Sequence, residues 1–129
     1  MAIRVVRLGS ARLPDEGLRL GTVRRPPRGV RKAHYASLNY YDVWVPDLAP
    51  SAELVSYAHA DEFTPTRWRT YVRRYRAEMR APVAQRLLAL LAALSDRTDL
   101  SVGCYCEDES RCHRSLLREL LVEAGAEMA

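Results

Sequence analysis

A chain of 129 residues, 48% of them apolar and with only 6 glycines and 7 prolines, is long enough for one buried core and too apolar for a disordered or low-complexity segment. The formal charge of +4 invites a nucleic-acid reading, but the basic residues are spread along the chain among 16 acidic ones, and all but Lys32 are arginines. No run approaches the roughly 18 apolar residues of a membrane span, and Met1-Ala2-Ile3-Arg4 does not begin a secretory signal, so a cytoplasmic protein forming a single domain over 1–129 is expected.

In chain order, the β-branched run Ile3, Val5, Val6 predicts a strand over 3–8, ended by the turn-forming pair Gly9-Ser10. A second short strand is expected over 18–23. Arg24-Arg25-Pro26-Pro27-Arg28-Gly29 must break it, because consecutive prolines remove backbone donors and fix φ. A third extended segment is expected over 39–45, closed by Pro46.

Ser51 offers a hydroxyl cap for a helix over 52–60, ahead of the polar stretch at Asp61 and Glu62. Thr64-Pro65 is a stronger start, since proline at the first helical position has no amide to leave unpaired. That helix is expected to reach about residue 80, with Trp68, Val72, Tyr75 and Met79 on one face and Arg69, Arg73, Arg76 and Arg80 on an adjoining one. Arg74 and Glu78 have i,i+4 spacing for an ion pair. Pro82 opens a further helix in which Leu87, Leu88, Leu90, Leu91 and Leu94 leave few polar sides, so extensive burial is expected. A strand over 100–105 and a helix over 112–124 complete the chain. Strands alternating with helices predict an α/β fold: a small three-layer, Rossmann-like arrangement of a mostly parallel sheet flanked by helices.

Chemistry concentrates at the last strand-to-helix junction, Cys104-Tyr105-Cys106-Glu107-Asp108-Glu109-Ser110-Arg111-Cys112-His113-Arg114. In open α/β sheets ligands gather beyond the carboxyl ends of strands, near helix N-termini. With Ser110 as cap, Cys112, His113 and Arg114 fall in the first helical turn, where anions are favoured and thiols ionise more readily.

Three readings fit these residues. Cys112 is a nucleophile, with His113 or Arg114 holding an anion and Glu107 or Asp108 moving protons. Alternatively Cys104, Cys106, Cys112 and His113 ligate zinc or iron, although Cys-x-Cys followed by adjacent Cys-His is not a common zinc spacing. In the third, the cysteines are small buried hydrophobes and His113 and Arg114 are solvated. Arg7, Arg28 and Asp42 are candidates for the pocket's border; Trp44 and Trp68 fit the core or its rim, and isolated His34 and His59 the surface.

Taken together, Pro26-Pro27-Arg28-Gly29-Val30, Asp42-Val43-Trp44, Leu48-Ala49-Pro50-Ser51-Ala52-Glu53-Leu54, the stretch 68–78 and the stretch 104–121 resemble the bacterial family called domain of unknown function 488. The resemblance implies no particular reaction. It sets two branch patterns side by side: the Pro-Arg-Gly and Leu-Ala-Pro-Ser segments of a branch without the cysteines, and the Cys-His-Arg of longer members. His113 at the helix terminus is therefore implied as the more general feature. The expected function is a small enzyme or ligand-binding domain for an anionic or nucleotide-like ligand at the junction of 100–105 with 112–124. The alternative is a non-catalytic metal or nucleic-acid binding module, nucleic acid being the less favoured partner and a membrane excluded.

Overall fold

The computed structural model describes residues 1–60 and 62–129. Four strands, β1 (Ile3–Arg7), β2 (Leu18–Gly21), β3 (Val43–Trp44) and β4 (Leu100–Cys104), form a wholly parallel sheet in the order β1-β4-β2-β3. The last strand in sequence thus sits in the middle. Its residues are all buried, which suits the compact Leu-Ser-Val-Gly-Cys run to a position covered on both faces. Register places Ile3, Leu100 and Leu18 side by side, and Val5, Val102 and Leu20 in the next row of the same face. The free edge of β1 is covered by the C-terminal segment: Ile3 N–H donates to the Glu127 carbonyl and Ala129 N–H to the Ile3 carbonyl.

Helices α1 (Ala52–His59), α2 (Pro65–Glu78), α3 (Pro82–Leu94) and α4 (His113–Glu123) all send side chains into one core with Ile3, Leu20, Leu100 and Val102. The opposite face is covered by loops and the 3-10 turn Lys32–His34, giving helices, sheet and an irregular third layer. This α/β architecture agrees with the expected Rossmann-like, three-layer arrangement.

The capping chemistry is as anticipated at two helices. Ser51 Oγ accepts from Leu54 N–H at 3.2 Å, Thr64 Oγ1 accepts from Arg67 N–H at 3.2 Å, and Pro65 occupies the first turn of α2. Asp61, in the polar stretch expected after α1, lies outside the described residues.

Other expectations are corrected. Of 39–45 only Val43–Trp44 is strand, because Asn39 takes a left-handed φ of 65° that breaks the extended run. The residue burying α2 most deeply with Tyr75 is Tyr71, while Trp68 and Val72 are half-buried. α3 is buried along one face only, through Ala84, Leu88 and Leu91, and Leu90 stays 54% exposed. Arg74 does not pair with Glu78. Its guanidinium lies over the Tyr57 ring, and the Glu78 carboxylate accepts from the Ser51 amide and hydroxyl, tying the end of α2 to the start of α1.

Gly103 shows how tightly the third layer sits. A Cβ there would lie 2.7 Å from Leu8 Cδ2 and 2.8 Å from the Val6 carbonyl oxygen. Gly103→Ala is expected to cost about 1–3 kcal/mol by overpacking, measured as a lower denaturant midpoint with unchanged slope.

Candidate functional site

Beyond the carboxyl end of β4 the chain passes through Tyr105 and Cys106 into a 3-10 turn, Glu109–Arg111, before α4 begins. Ser110 does not cap α4. The Asp108 side chain accepts from the Ser110 amide at 3.0 Å and the Ser110 hydroxyl at 2.6 Å, closing a local turn that competes with the longer-range cap. Cys112 takes the N-cap position instead, and His113 and Arg114 open the helix.

This path brings Cys104, Cys106 and Cys112 together, with all three Sγ atoms within 4.8 Å of one another. Cys104 and Cys106 Sγ stand 3.6 Å apart. Cys104 and Cys112 are buried, and Cys106 is half-buried. The sulphurs occupy one end of a cavity of about 400 Å³, bordered by Arg24 and Arg25 after β2, by His59 and Phe63 from the α1–α2 region, and by Tyr71 of α2.

His113 also lines this cavity but does not belong to the close group of three sulphurs. It is 3% exposed, and its Nε2 donates to the Thr22 carbonyl at 2.6 Å. A carbonyl only accepts, so Nε2 carries the proton, and Nδ1 faces Cys112 Sγ at 3.7 Å. His113 therefore locks the start of α4 to the end of β2 and lies outside the sulphur trio.

Arg114, also 3% exposed, donates from Nη2 to the Cys106 carbonyl at 2.6 Å, while its buried Nε has no partner among the described residues. No carboxylate pairs with it among the described residues. A buried cation without a close ion pair is costly, and the charge of Arg114 is felt both by the Asp108 carboxyl and by the adjacent Cys106 sulphur. The Cys106 thiol is accordingly held well below its ordinary value by hydrogen bonds from Cys104 and then Cys112, with the positive charge of Arg114 adding to them against burial. The Cys104 thiol is pushed up, because it is the donor in that arrangement and is itself buried.

The remaining expected site residues lie elsewhere. The Glu107 side chain is 84% exposed, 3.5 Å from Arg7, and does not line the cavity. Asp42 is a structural group: burial raises its carboxyl, but the bidentate Arg12 guanidinium at 2.9 and 3.1 Å and the Arg19 amide at 2.8 Å hold it below the usual value. Arg7 and Arg28 border a separate, neighbouring cavity. No local pattern marks Arg24, Arg25, Phe63 and Tyr71 as neighbours of the sulphur-lined cavity, because the loop after β2, the α1–α2 connection and α2 deliver them separately. His59, assigned to the surface as an isolated histidine, is exposed and also reaches its rim.

Comparison with known proteins gives a family and no reaction. The sequence model of DUF488-N3a, described as the active DUF488-N3 subclade, matches residues 3–125. The chain is similar to Uncharacterized protein Mb3100c of Mycobacterium bovis and Uncharacterized protein Rv3073c of Mycobacterium tuberculosis. Each is 30% identical over 119 residues, covering 92% of this chain and 92% of the relative. No solved structure matches the chain.

Proposed function

The chain belongs to the DUF488-N3a family, and from the geometry of its own site we propose that it is a small enzyme acting on an anionic ligand through the Cys106 thiolate. The observation that carries this reading is one half-buried thiol opening on a cavity, 3.6 Å from the Cys104 sulphur, with the buried Arg114 guanidinium bonded to its own carbonyl. Reactive cysteines occupy electropositive, partly exposed sites of this kind. The nucleophile is Cys106 rather than Cys112, because Cys106 is the more exposed of the two sulphur-bearing residues at the cavity and Cys112 is 2% exposed. In the reaction, an electron pair on Cys106 Sγ forms a bond to the electrophilic atom of the ligand. The leaving group departs with the electrons of the broken bond and takes its proton from water.

A second reading is favoured by the close approach of the three sulphurs. Sulphurs bound to one zinc at tetrahedral positions are about 3.8 Å apart, near the 3.6 Å between Cys104 and Cys106. Zinc or iron(II) would be held by the thiolates of Cys104, Cys106 and Cys112, the group of three sulphurs that leaves His113 outside it, and would supply Lewis-acid chemistry beside the cavity.

One experiment separates these readings. Protein purified without chelator is assayed for bound metal and treated with iodoacetamide at pH 6, and the modified residue is identified by mass spectrometry. The thiolate reading expects no stoichiometric metal, rapid modification of Cys106 alone, and loss of that modification in Cys106→Ser. About one metal per chain with all three thiols protected until unfolding overturns it in favour of the metal centre.

A further inference from the structure

The larger neighbouring cavity, about 640 Å³, lies beyond the carboxyl end of β1 and shares Arg25 and Tyr105 with the sulphur-lined cavity. Three guanidiniums border it, those of Arg7, Arg25 and Arg28. Arg25 and Arg28 are exposed and make no ion pair among the described residues, and Arg7 donates from Nε to the Tyr105 carbonyl at 3.3 Å and has one long 3.5 Å contact with the exposed Glu107. Exposed arginines without an ion pair also occur elsewhere among the described residues, for example Arg73, Arg80, Arg86 and Arg97. What sets this basin apart is that three guanidinium-bearing side chains converge on one concave space.

Its walls are aromatic. Tyr40 and Tyr105 meet edge to face with ring centroids 6.2 Å apart, and the Tyr105 hydroxyl donates to the Arg25 carbonyl at 2.9 Å, holding that loop in place. The backbone at the floor offers nothing to a ligand: the amides of Leu8, Gly9 and Ser10 are bonded to Cys104, Asn39 and Arg7 carbonyls. Recognition must then come from the side chains, and forked guanidinium donors suit phosphate oxygens geometrically.

We infer that this basin binds the phosphate-bearing part of a small phosphorylated ligand, with Arg25 and Tyr105 forming the ridge over which the ligand reaches Cys106. The second half of this statement rests on the proposed thiolate chemistry; the phosphate site stands independently of it. A small molecule is favoured over a polynucleotide because Arg7, Arg25 and Arg28 line one concave space bounded by two rings, whereas a nucleic-acid track needs a continuous charged groove with stacking platforms along it.

Calorimetric titration with inorganic pyrophosphate tests it, on the native chain, on Arg25→Gln/Arg28→Gln, in which both replaced side chains are exposed, and on Cys106→Ser. The native chain is expected to bind with a dissociation constant below about 1 mM, and the double variant at least about tenfold more weakly. Cys106→Ser should bind pyrophosphate like the native chain, and the double variant should keep its Cys106 alkylation, so failure of the basin and failure of the thiolate reading are separate results. Absence of native binding, or undiminished binding by the double variant, overturns the inference. So does tighter, steeply salt-dependent binding of a mixed-sequence single-stranded oligonucleotide through the same arginines.

Discussion

Arg19→Met is expected to destabilise the fold by about 3–5 kcal/mol, the range for breaking one side of a buried ion pair. Arg19 is fully buried on the sheet face away from the helices, and all five of its N–H donors are used. Three go to the Glu16 carboxylate at 2.7–3.2 Å, one to the Ser10 carbonyl and one to the Asn39 carbonyl. One side chain in a strand thus pins three points of the irregular layer. The substitution leaves Glu16, 2% exposed, charged and unpartnered. Denaturant unfolding of Arg19→Met and of Arg19→Met/Glu16→Leu checks the cause, because the double variant removes the orphaned charge and should recover part of the loss. A single-variant cost below about 1 kcal/mol, the scale of a surface pair, would refute a buried network.

Arg114→Met is expected to raise the pH at which Cys106 becomes reactive by about one to three units, as loss of a nearby opposite charge does for an acid. In the native chain the Cys104 and Cys112 donors and the Arg114 charge favour the thiolate, so alkylation should persist well below the ordinary thiol value of about 8.5. The sign for stability follows from the same lowering. A group whose folded value is depressed supports folding fully above its unfolded value, and that support is lost as pH falls through the folded one. Acidification should therefore weaken the native chain over that interval more than Arg114→Met. Arg114→Lys, which keeps the charge but not the forked guanidinium, should give an intermediate alkylation profile and guards against reading a folding defect as an electrostatic one. Identical pH profiles for all three proteins would remove Arg114 from the site.

Much of this fold obeys rules that operate within four residues. Ser51, Thr64-Pro65 and Pro82 mark their helices because a cap or a fixed φ acts on the next turn, and the apolar run at β4 identifies a buried strand. The cysteine segment could be recognised as chemically dense for the same reason, since Cys104, Cys106 and Cys112 are close in sequence. Ser110 was misassigned because Asp108, two residues earlier, captured its amide and hydroxyl in a competing local turn. Arg74 and Glu78 were open to misreading because i,i+4 spacing makes a pair available, while Tyr57 and Ser51 on α1 offered each a better partner.

What the residues alone established was an α/β chain with its reactive groups at the last strand-to-helix junction. Tertiary structure decided which of those groups face a cavity. His113 is fixed at the cavity wall by a carbonyl 91 positions away, Arg25 is brought in by the loop after β2 and Tyr71 by α2, and Arg114 is buried against the Cys106 carbonyl. Those outcomes depend on β4 inserting between β1 and β2, a packing choice that buries its compact side chains on both faces. No local propensity encodes it, because its energy comes from surfaces that meet only when the sheet is assembled.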